Sequence, residues 1–371
     1  MNVLVITPDY PDRFKDHYTF VKQLVDEFAR QGHNCYVIAP YSISNNKRLY
    51  KKKELDGQVM VYRPNYLSFS NLNIWGFRPS VFFRQIAINT ALKWLPVKPD
   101  VVYCHFWVSA IEAYPFAKKY NIPVIVASGE SSITPFFEGQ AFPEEIKSVV
   151  RGAICVSSKN KNESILLGLT TEDECLVKPN AVNSALFRKL NKLTCRKELG
   201  FPEDACIICF VGAFVERKGA NRVSSAIMSL TGEPVYSIFI GQGSVAPECS
   251  NILFNGPLRH ETIPMYLNAS DAFVLPTLRE GCCNAIVEAM SCGLPIISSN
   301  LPFNWDVLDD SNAILIDPND IGSIAEAIRR LRDDKQLRLR MAEASLEKSK
   351  SLTIDQRAKG IMDFISSRIT I

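Results

Sequence analysis

Residues 276–299, PTLREGCCNAIVEAMSCGLPIISS, contain one complete repeat of an α/β fold. A buried strand ends at Pro276, a short loop follows, and Asn284 is a suitable N-cap for a helix that Gly293 ends. The apolar run PIISS then predicts the next strand. A strand that returns through a helix to another strand is typical of a parallel sheet, so this segment predicts a doubly wound architecture.

The same alternation extends over the whole chain in two successive series. Val- and Ile-rich runs, typical of strands buried on both faces, recur in each half, and helical stretches separate several of them. The predicted strands cover residues 3–7, 35–40, 59–63, 100–105, 124–128 and 153–158, and then 207–214, 235–241, 251–256, 272–277, 295–299 and 313–317. The sequence therefore predicts an α/β protein with two Rossmann-like doubly wound domains that face each other across a cleft.

The length of the chain also favours two domains, because 371 residues exceed what one hydrophobic core usually serves. We place the boundary in the polar stretch around residues 178–192, which gives an N-terminal domain of residues 1–184 and a C-terminal domain of residues 185–352. Residues 353–371 are predicted to form a C-terminal helix that can cross back to the N-terminal domain.

The composition is that of a soluble globular protein, with 47% hydrophobic residues, 22% charged residues and a formal net charge of +3. It offers no basic excess for wholesale nucleic-acid binding and no apolar stretch of membrane-spanning length. The first residues, MNVLVITPDYP, lack basic residues and a small-residue cleavage site, so we expect no signal peptide. Eleven cysteines, an odd number, fit a reducing compartment, so we expect a cytoplasmic protein. Cys206 and Cys209 lie three apart in one predicted strand and point to opposite faces, so no metal site is expected there.

The loop and helix start of the 276–299 segment form the strongest candidate ligand site. Backbone N–H groups around Cys282, Cys283 and Asn284 are unpaired at the helix N-terminus and, with the helix dipole, favour a phosphate. Glu280 precedes this site, and Glu288 lies one turn into the helix with its side chain leaning back toward the same end. Carboxylates repel phosphate but accept hydrogen bonds from paired hydroxyls, so a ribose or hexose is expected beside the phosphate. Neither half carries GxGxxG after its first strand, which disfavours dinucleotide binding.

Glu280 and Glu288, with seven residues between them and EAMSCGLPII following, resemble the EX7E signature of the GT-B fold glycosyltransferases of family 4 (glycosyl transferases group 1). Other blocks resemble the pattern of that family in the same order. They are DEFARQGHNCYVIA (26–39), PDVVYCHF (99–106), AICVSS (153–158), KPNAVNSALF (178–187), FVGAFVERKG (210–219), FIGQGS (239–244) and ILFNGPL (252–258). A chance match of so many blocks in the same order is improbable, and the chain is identified as a member of the family.

The resemblance implies that the C-terminal half binds a nucleotide diphosphate sugar as co-substrate and the N-terminal half binds the acceptor. Lys218 and Arg217 would neutralise the charge that develops on the diphosphate. Glu280 and the backbone of Gly281–Asn284 would hold the donor sugar and the phosphates, and Glu288 would hold the ribose. The other implied donor contacts are Gly212, Gly241, Gly243 and Leu258, the last of them near the base.

The family resemblance also implies retention of the anomeric configuration, with no metal and no further cofactor. Three departures from the pattern qualify the match. Ala213 stands where the family has an arginine, so one phosphate ligand is missing, although Arg217 can supply the charge. Lys15 and Asp16 replace the Gly-Gly of the first loop and, with His17, offer a cation, a carboxylate and an imidazole on the acceptor side.

The third departure is Glu130, which follows the predicted strand 124–128 where many members have a histidine; we expect it to contact the acceptor. His105 ends another strand beside the predicted cleft and is a candidate catalytic residue, with a buried core imidazole as the alternative. His33 is expected to be structural, and His260, in a polar loop, is expected to face solvent.

A basic and aromatic stretch occupies residues 47–94. KRLYKKK (47–53) is basic, and the aromatic residues that follow are Tyr62, Tyr66, Phe69, Trp75, Phe77, Phe82, Phe83 and Trp94. Such a surface can dock on an anionic membrane, here the inner face of the cytoplasmic membrane. The alternative is an aromatic core helix beside a solvated loop, and the sequence leaves both open.

The predicted function is transfer of a hexose from a UDP- or GDP-linked sugar to a saccharide acceptor, which can be lipid-linked, in surface polysaccharide or glycan biosynthesis. Two alternatives stay open. The first is a non-catalytic partner subunit that binds a nucleotide sugar, which is suggested by the departures at Ala213, Lys15 and Asp16. The second is a nucleotide-sugar epimerase of the GT-B fold.

Overall fold

The computed structural model describes residues 1–12, 18–43, 52–70, 72–74, 77–134 and 143–369. The chain divides into two compact units: Met1–Lys178 with Ile354–Ile371 form the first, and Pro179–Thr353 form the second. The division falls inside the KPNAVNSALF stretch. The acceptor-side residues Lys15, Asp16 and His17 lie outside the described residues, as do 44–51 and Trp75.

The first unit is built on an eight-stranded sheet with a small two-stranded sheet beside it. Its strands are β1 (Asn2–Ile6), β2 (Asn34–Ile38), β3 (Tyr41–Ser42), β4 (Lys53–Asp56), β5 (Val59–Tyr62), β6 (Asn65–Tyr66), β7 (Val101–His105), β8 (Val124–Ser128), β9 (Val150–Cys155) and β10 (Cys175–Val177). The large sheet has the order β10-β9-β8-β7-β1-β2-β5-β4, and β3 pairs with β6. All pairs in the large sheet are parallel except β4 with β5, where the chain reverses at Gly57 in a left-handed conformation.

Burial explains why this sheet is parallel. Along β1, Leu4 and Ile6 pack into the core on one face together with Trp107, whereas Val3 and Val5 pack into the core on the other face. Both faces are covered by helices: α1 (Thr19–Arg30), α2 (Pro79–Leu92), α3 (Trp107–Tyr120), α4 (Pro143–Lys147) and α5 (Ser158–Leu166). A strand without a polar face is what a doubly wound sheet requires.

The second unit has a six-stranded parallel sheet. Its strands are β11 (Cys206–Val211), β12 (Val235–Ile240), β13 (Ile252–Gly256), β14 (Ala272–Leu275), β15 (Ile296–Ser299) and β16 (Ala313–Ile316). Its helices are α6 (Lys192–Leu199), α7 (Ala220–Met228), α8 (Ile263–Ala269), α9 (Asn284–Ser291), α10 (Ile321–Asp333) and α11 (Lys335–Ser349). The order β13-β12-β11-β14-β15-β16 reverses between β11 and β14, which places a topological switch point at the carboxyl ends of those strands. The predicted doubly wound α/β architecture is confirmed in both units.

The last helix, α12 (Ile354–Arg368), belongs to the first unit. Its residues Ala358, Ile361 and Ile365 share a buried core with Phe28 of α1. Within the ranges that the structure describes, no helix has both the length and the apolarity needed to cross a membrane.

Candidate active site

Two loops meet at the switch point of the second unit, one after β11 and one after β14. The backbone N–H of Leu278 donates to the carbonyl of Arg217 at 2.9 Å. Arg222, near the start of α7, bridges the loops, because it donates to the carbonyl of Glu216 at 2.8 Å and to that of Pro276 at 2.9 Å. These bonds hold the first loop against the second and fix where its two cationic side chains lie.

The carboxylate of Glu280 is the centre of this group. Lys218 Nζ lies 2.7 Å from Glu280 Oε1, Arg217 Nη1 pairs with the same oxygen, and the Thr277 hydroxyl donates to it at 2.9 Å. Each of these three contacts is made to Oε1. The structure therefore brings together the three predicted residues Arg217, Lys218 and Glu280, and two cations facing one carboxylate leave the group with a net positive charge.

Lys218 is charged in this setting although its side chain is largely buried. Burial works against the charged form, but contact with the Glu280 carboxylate outweighs it, and the pKa of Lys218 is raised. Cys283 Sγ lies 3.8 Å from Nζ. Burial raises the pKa of the Cys283 thiol, so this thiol is neutral and Glu280 is the anion that stabilises the ammonium group.

The glycines predicted on the donor side form a closely packed layer of backbone. Gly241 N donates to the carbonyl of Gly256, and Gly212 N donates to that of Ile240, both at 2.9 Å. A Cβ added to Gly241 would lie 1.9 Å from the carbonyl oxygen of Gly212, and one on Gly243 would lie 2.2 Å from that of Phe214. Leu258 is half-buried in the loop that follows β13.

Helix α9 begins one residue earlier than predicted. Its N-cap is Cys283, which has extended backbone angles and makes no capping hydrogen bond with its side chain, whereas Asn284 is already helical. The prediction of Asn284 as N-cap was therefore wrong. Gly281, Cys282 and Cys283 are buried, and Asn180 Nδ2 supports the turn by donating to the carbonyl of Cys282 at 2.9 Å.

Glu288 has a partner that the sequence did not indicate. Nε2 of His260 lies 2.8 Å from Glu288 Oε1, and the His260 ring centroid lies 5.0 Å from that of Phe187, a side chain only 2% exposed. The expectation that His260 faces solvent was wrong, because the short helical turn His260–Thr262 after β13 directs its ring toward α9.

In the first unit, His105 ends β7 at that sheet's own switch point. Its ring is packed against Phe20 and Phe106, with centroid separations of 5.2 Å and 4.5 Å, and Nδ1 finds no hydrogen-bond partner within the described ranges. Burial lowers the pKa of His105 to about 3, so the imidazole is uncharged near neutrality. Its catalytic role stays a prediction.

Glu130 is buried and makes internal contacts. Oε1 accepts from the backbone N–H of Trp107 at 2.6 Å, and the Ser128 hydroxyl donates to Oε2 at 3.2 Å. Burial raises the pKa of Glu130 to about 7, so much of this carboxyl group is protonated at neutral pH. The side chain supplies a partner for the first N–H of α3, and its contact with the acceptor stays a prediction.

No group of three or more His, Cys, Asp or Glu side chains within the described ranges is arranged to hold a metal ion. All eleven cysteines are free thiols, most of them buried.

Comparison with known proteins assigns the chain to a family. Residues 17–128 match the family model described as Glycosyltransferase Family 4, and residues 191–348 match the one described as Glycosyl transferases group 1. The chain is a family 4 glycosyltransferase. The predicted recognition is confirmed, and glycosyltransferases of this GT-B type use sugar nucleotides as donors.

Individual relatives agree with this assignment. The glycosyltransferase is 26% identical over 350 residues, 89% of each chain, to TuaC of Bacillus subtilis, which is provisionally assigned to teichuronic acid biosynthesis. Its fold matches that of sucrose-phosphate synthase from Thermosynechococcus elongatus, with a TM-score of 0.80, 16% identity and 99% of both chains covered. It also matches Anabaena HepE in complex with UDP and glucose, with a TM-score of 0.74, 15% identity, and 99% and 100% of the two chains covered. At such identities the two structures show the GT-B fold alone.

Several residues of the glycosyltransferase site were missed at the sequence level. Arg222 joins two loops that are distant in sequence, and Thr277 donates to Glu280 in its own loop, but no local pattern marks either residue. Asn180 and Phe187, in contrast, stand in the KPNAVNSALF block that resembles the family pattern. Asn180 supports Cys282 of the EX7E segment, and Phe187 packs against His260, the partner of Glu288. Their place in that block was the signal that could have found them.

Proposed function

We propose that this glycosyltransferase moves a hexose, with retention of configuration, from a UDP- or GDP-linked donor to a lipid-linked saccharide of a surface polysaccharide. The observation that carries the proposal is the convergence of Lys218 and Arg217 on Glu280 at the switch point of the second unit. A protonated lysine and an arginine provide the charge that a leaving nucleotide diphosphate requires.

The donor is assigned to the second unit residue by residue. The diphosphate would be bound by Lys218, Arg217 and the first N–H groups of α9. Arg217 would supply the positive charge of the family's arginine, whose position is occupied by Ala213. The Glu280 carboxylate would also accept from a hydroxyl of the donor sugar. Glu288 would accept from the ribose, and the backbone near Leu258 would approach the base.

The reaction can be written with the protein groups alone. The acceptor hydroxyl attacks C1 of the sugar on the face that the nucleotide leaves, so the new C1–O bond forms as the bond from C1 to the β-phosphate oxygen breaks. The acceptor proton passes to the leaving phosphate oxygen. Lys218 and Arg217 stabilise the departing diphosphate, so we propose that the reaction needs no metal.

The acceptor is assigned to the first unit. TuaC is named for teichuronic acid biosynthesis, which supports a saccharide acceptor of a cell-surface polymer. The acceptor side of the site would be formed by His105, Lys15, Asp16, His17 and Glu130. We propose that the reaction takes place in the cytoplasm.

An apolar surface in the first unit supports a lipid-linked acceptor. Large side chains around α2 are exposed, among them Phe77 at 51% and Phe82 at 46%. Leu67, Phe69, Leu72, Ile74 and Ile86 are also exposed, and Lys52 and Lys53 add positive charge in the same stretch of chain. Tyr62, in contrast, is fully buried and Trp94 packs against the core, so only part of the aromatic stretch is available. We propose that the exposed part contacts anionic lipid.

Replacing Phe77 and Phe82 together by serine should weaken sedimentation with phosphatidylglycerol vesicles, because each phenylalanine would lose apolar burial. The loss should be at least about tenfold in partitioning. The matched control is Met228→Ser, which removes an exposed apolar side chain from the second unit. Equal partitioning of the double variant and this control would exclude a membrane role for the α2 surface.

The donor assignment is tested by Glu288→Ala. Loss of hydrogen bonds from the ribose to a carboxylate should weaken UDP or GDP binding by about 1.5 to 3 kcal/mol, measured by titration calorimetry. Glu347→Ala, which removes an exposed glutamate from α11 of the same unit, is the control and should leave affinity unchanged. Unchanged affinity in Glu288→Ala would show that this residue does not bind the ribose.

A further inference from the structure

We propose that His260 is a positioning residue that holds Glu288 for the ribose and thereby makes the enzyme select ribonucleotide-linked donors against deoxyribonucleotide-linked ones. The inference rests on the proposed function, because it assumes that Glu288 binds the ribose. It adds to that function that the nucleotide of the donor must carry a ribose.

The first step is the contact itself. An ionised carboxylate only accepts hydrogen bonds, so at 2.8 Å from Glu288 Oε1 the Nε2 atom of His260 must carry the proton and donate it. The imidazole thus binds one oxygen of Glu288 from the side of the β13 loop. Oε2 and the remaining lone pair of Oε1 are left to accept from a vicinal diol.

The second step is the way the imidazole is held. Its ring packs on Phe187, whose own side chain is buried, with ring centroids 5.0 Å apart and planes at 52°. Phe187 belongs to the KPNAVNSALF block, His260 to the loop after β13, and Glu288 to α9. Three separate segments of the second unit therefore meet where His260 contacts Glu288. A glutamate on a helix surface has several rotamers, and a fixed donor on a packed ring selects one of them.

The third step is the consequence for specificity. A carboxylate held by a donor and desolvated on one side loses a partner when a ribose hydroxyl is missing, and an unpaired buried acceptor is unfavourable. Discrimination between a ribose and a 2′-deoxyribose therefore depends on the orientation of Glu288 as well as on its presence. A freely rotating Glu288 could turn to the 3′-hydroxyl or to water instead.

The experiment compares the affinity of the full-length protein for UDP and GDP with that for their 2′-deoxy analogues, by titration calorimetry. Wild type should bind the ribonucleotide at least about tenfold more tightly than its 2′-deoxy form. His260→Phe keeps an aromatic ring against Phe187 but cannot donate, and this ratio should fall to about threefold or less. His260→Gln can place an amide donor near the position of Nε2, and it should restore most of the ratio.

The outcomes separate this inference from the function on which it rests. If Glu288→Ala loses the preference for the ribonucleotide over its 2′-deoxy form while His260→Phe keeps it, the role of His260 is overturned and the role of Glu288 stands. Full discrimination in Glu288→Ala would show that this carboxylate does not read the ribose, and both claims would fall. A ratio that His260→Phe keeps and His260→Gln loses would make the ring a packing element and overturn the inference.

Discussion

Lys218→Ala is expected to reduce glycosyl transfer by about 10²- to 10³-fold, the usual consequence of removing one preorganised group that stabilises charge in a transition state. The ammonium group lies 2.7 Å from Glu280 Oε1 and is held in its protonated form. Its removal should lower kcat more than it raises KM for the donor, because the charge on the diphosphate grows as the sugar leaves. The measurement is release of nucleotide diphosphate in the presence of acceptor.

Folding should survive this change. Glu280 keeps its pair with Arg217 and its hydrogen bond from Thr277, so the carboxylate is not left without a partner. Lys197→Ala is the control, since Lys197 is an exposed lysine of α6 in the same unit. A Lys218→Ala variant that loses thermal stability in proportion to its activity would show that the lysine is structural rather than catalytic.

Gly241→Ala is expected to destabilise the second unit by about 3 kcal/mol or more, which is large against the total stability of a domain. The new Cβ would lie 1.9 Å from the carbonyl oxygen of Gly212, and neither backbone can move without breaking the hydrogen bonds that join β11, β12 and β13. The φ angle of Gly241 is +155°, which L residues rarely adopt. Urea unfolding followed by circular dichroism would measure the loss.

Gly200→Ala is the matched control for this variant. Gly200 ends α6 with a φ of +69°, and a Cβ there would have no atom within 4 Å. Its replacement should cost about 1 to 2 kcal/mol, the strain of the left-handed conformation alone. If the two variants unfold at the same urea concentration, the close approach of the two loops is not what fixes glycine at position 241.

Much of the fold could be predicted from the sequence because strands buried on both faces have a simple signature. The run VLVI in β1 has no polar face, and the structure places alternate residues in separate cores. The antiparallel β4 has no such signature. Its sequence, KELD, is polar and mostly charged, and pairing with β5 rather than burial makes it a strand.

The site was predictable only where its residues are close in sequence. Glu280 and Glu288 stand in one segment, and Lys218 lies in a block that resembles a family pattern, so each could be named in advance. The contact between His260 and Glu288 joins residues 28 positions apart through the packing of Phe187, which no spacing rule describes. The sequence likewise did not indicate that the carboxyl group of Glu130 binds the first N–H of α3, and the contact of Glu130 with the acceptor stays a prediction.

The central claim is that the second unit binds a nucleotide diphosphate sugar, and thermal unfolding of the purified wild-type protein with UDP, GDP and their common sugar conjugates tests it most directly. No metal would be added. We expect one base family to raise the melting temperature, since a ligand at a hundredfold excess over its dissociation constant stabilises the folded state by about 2.7 kcal/mol. A folded sample that none of these nucleotides stabilises would contradict the claim.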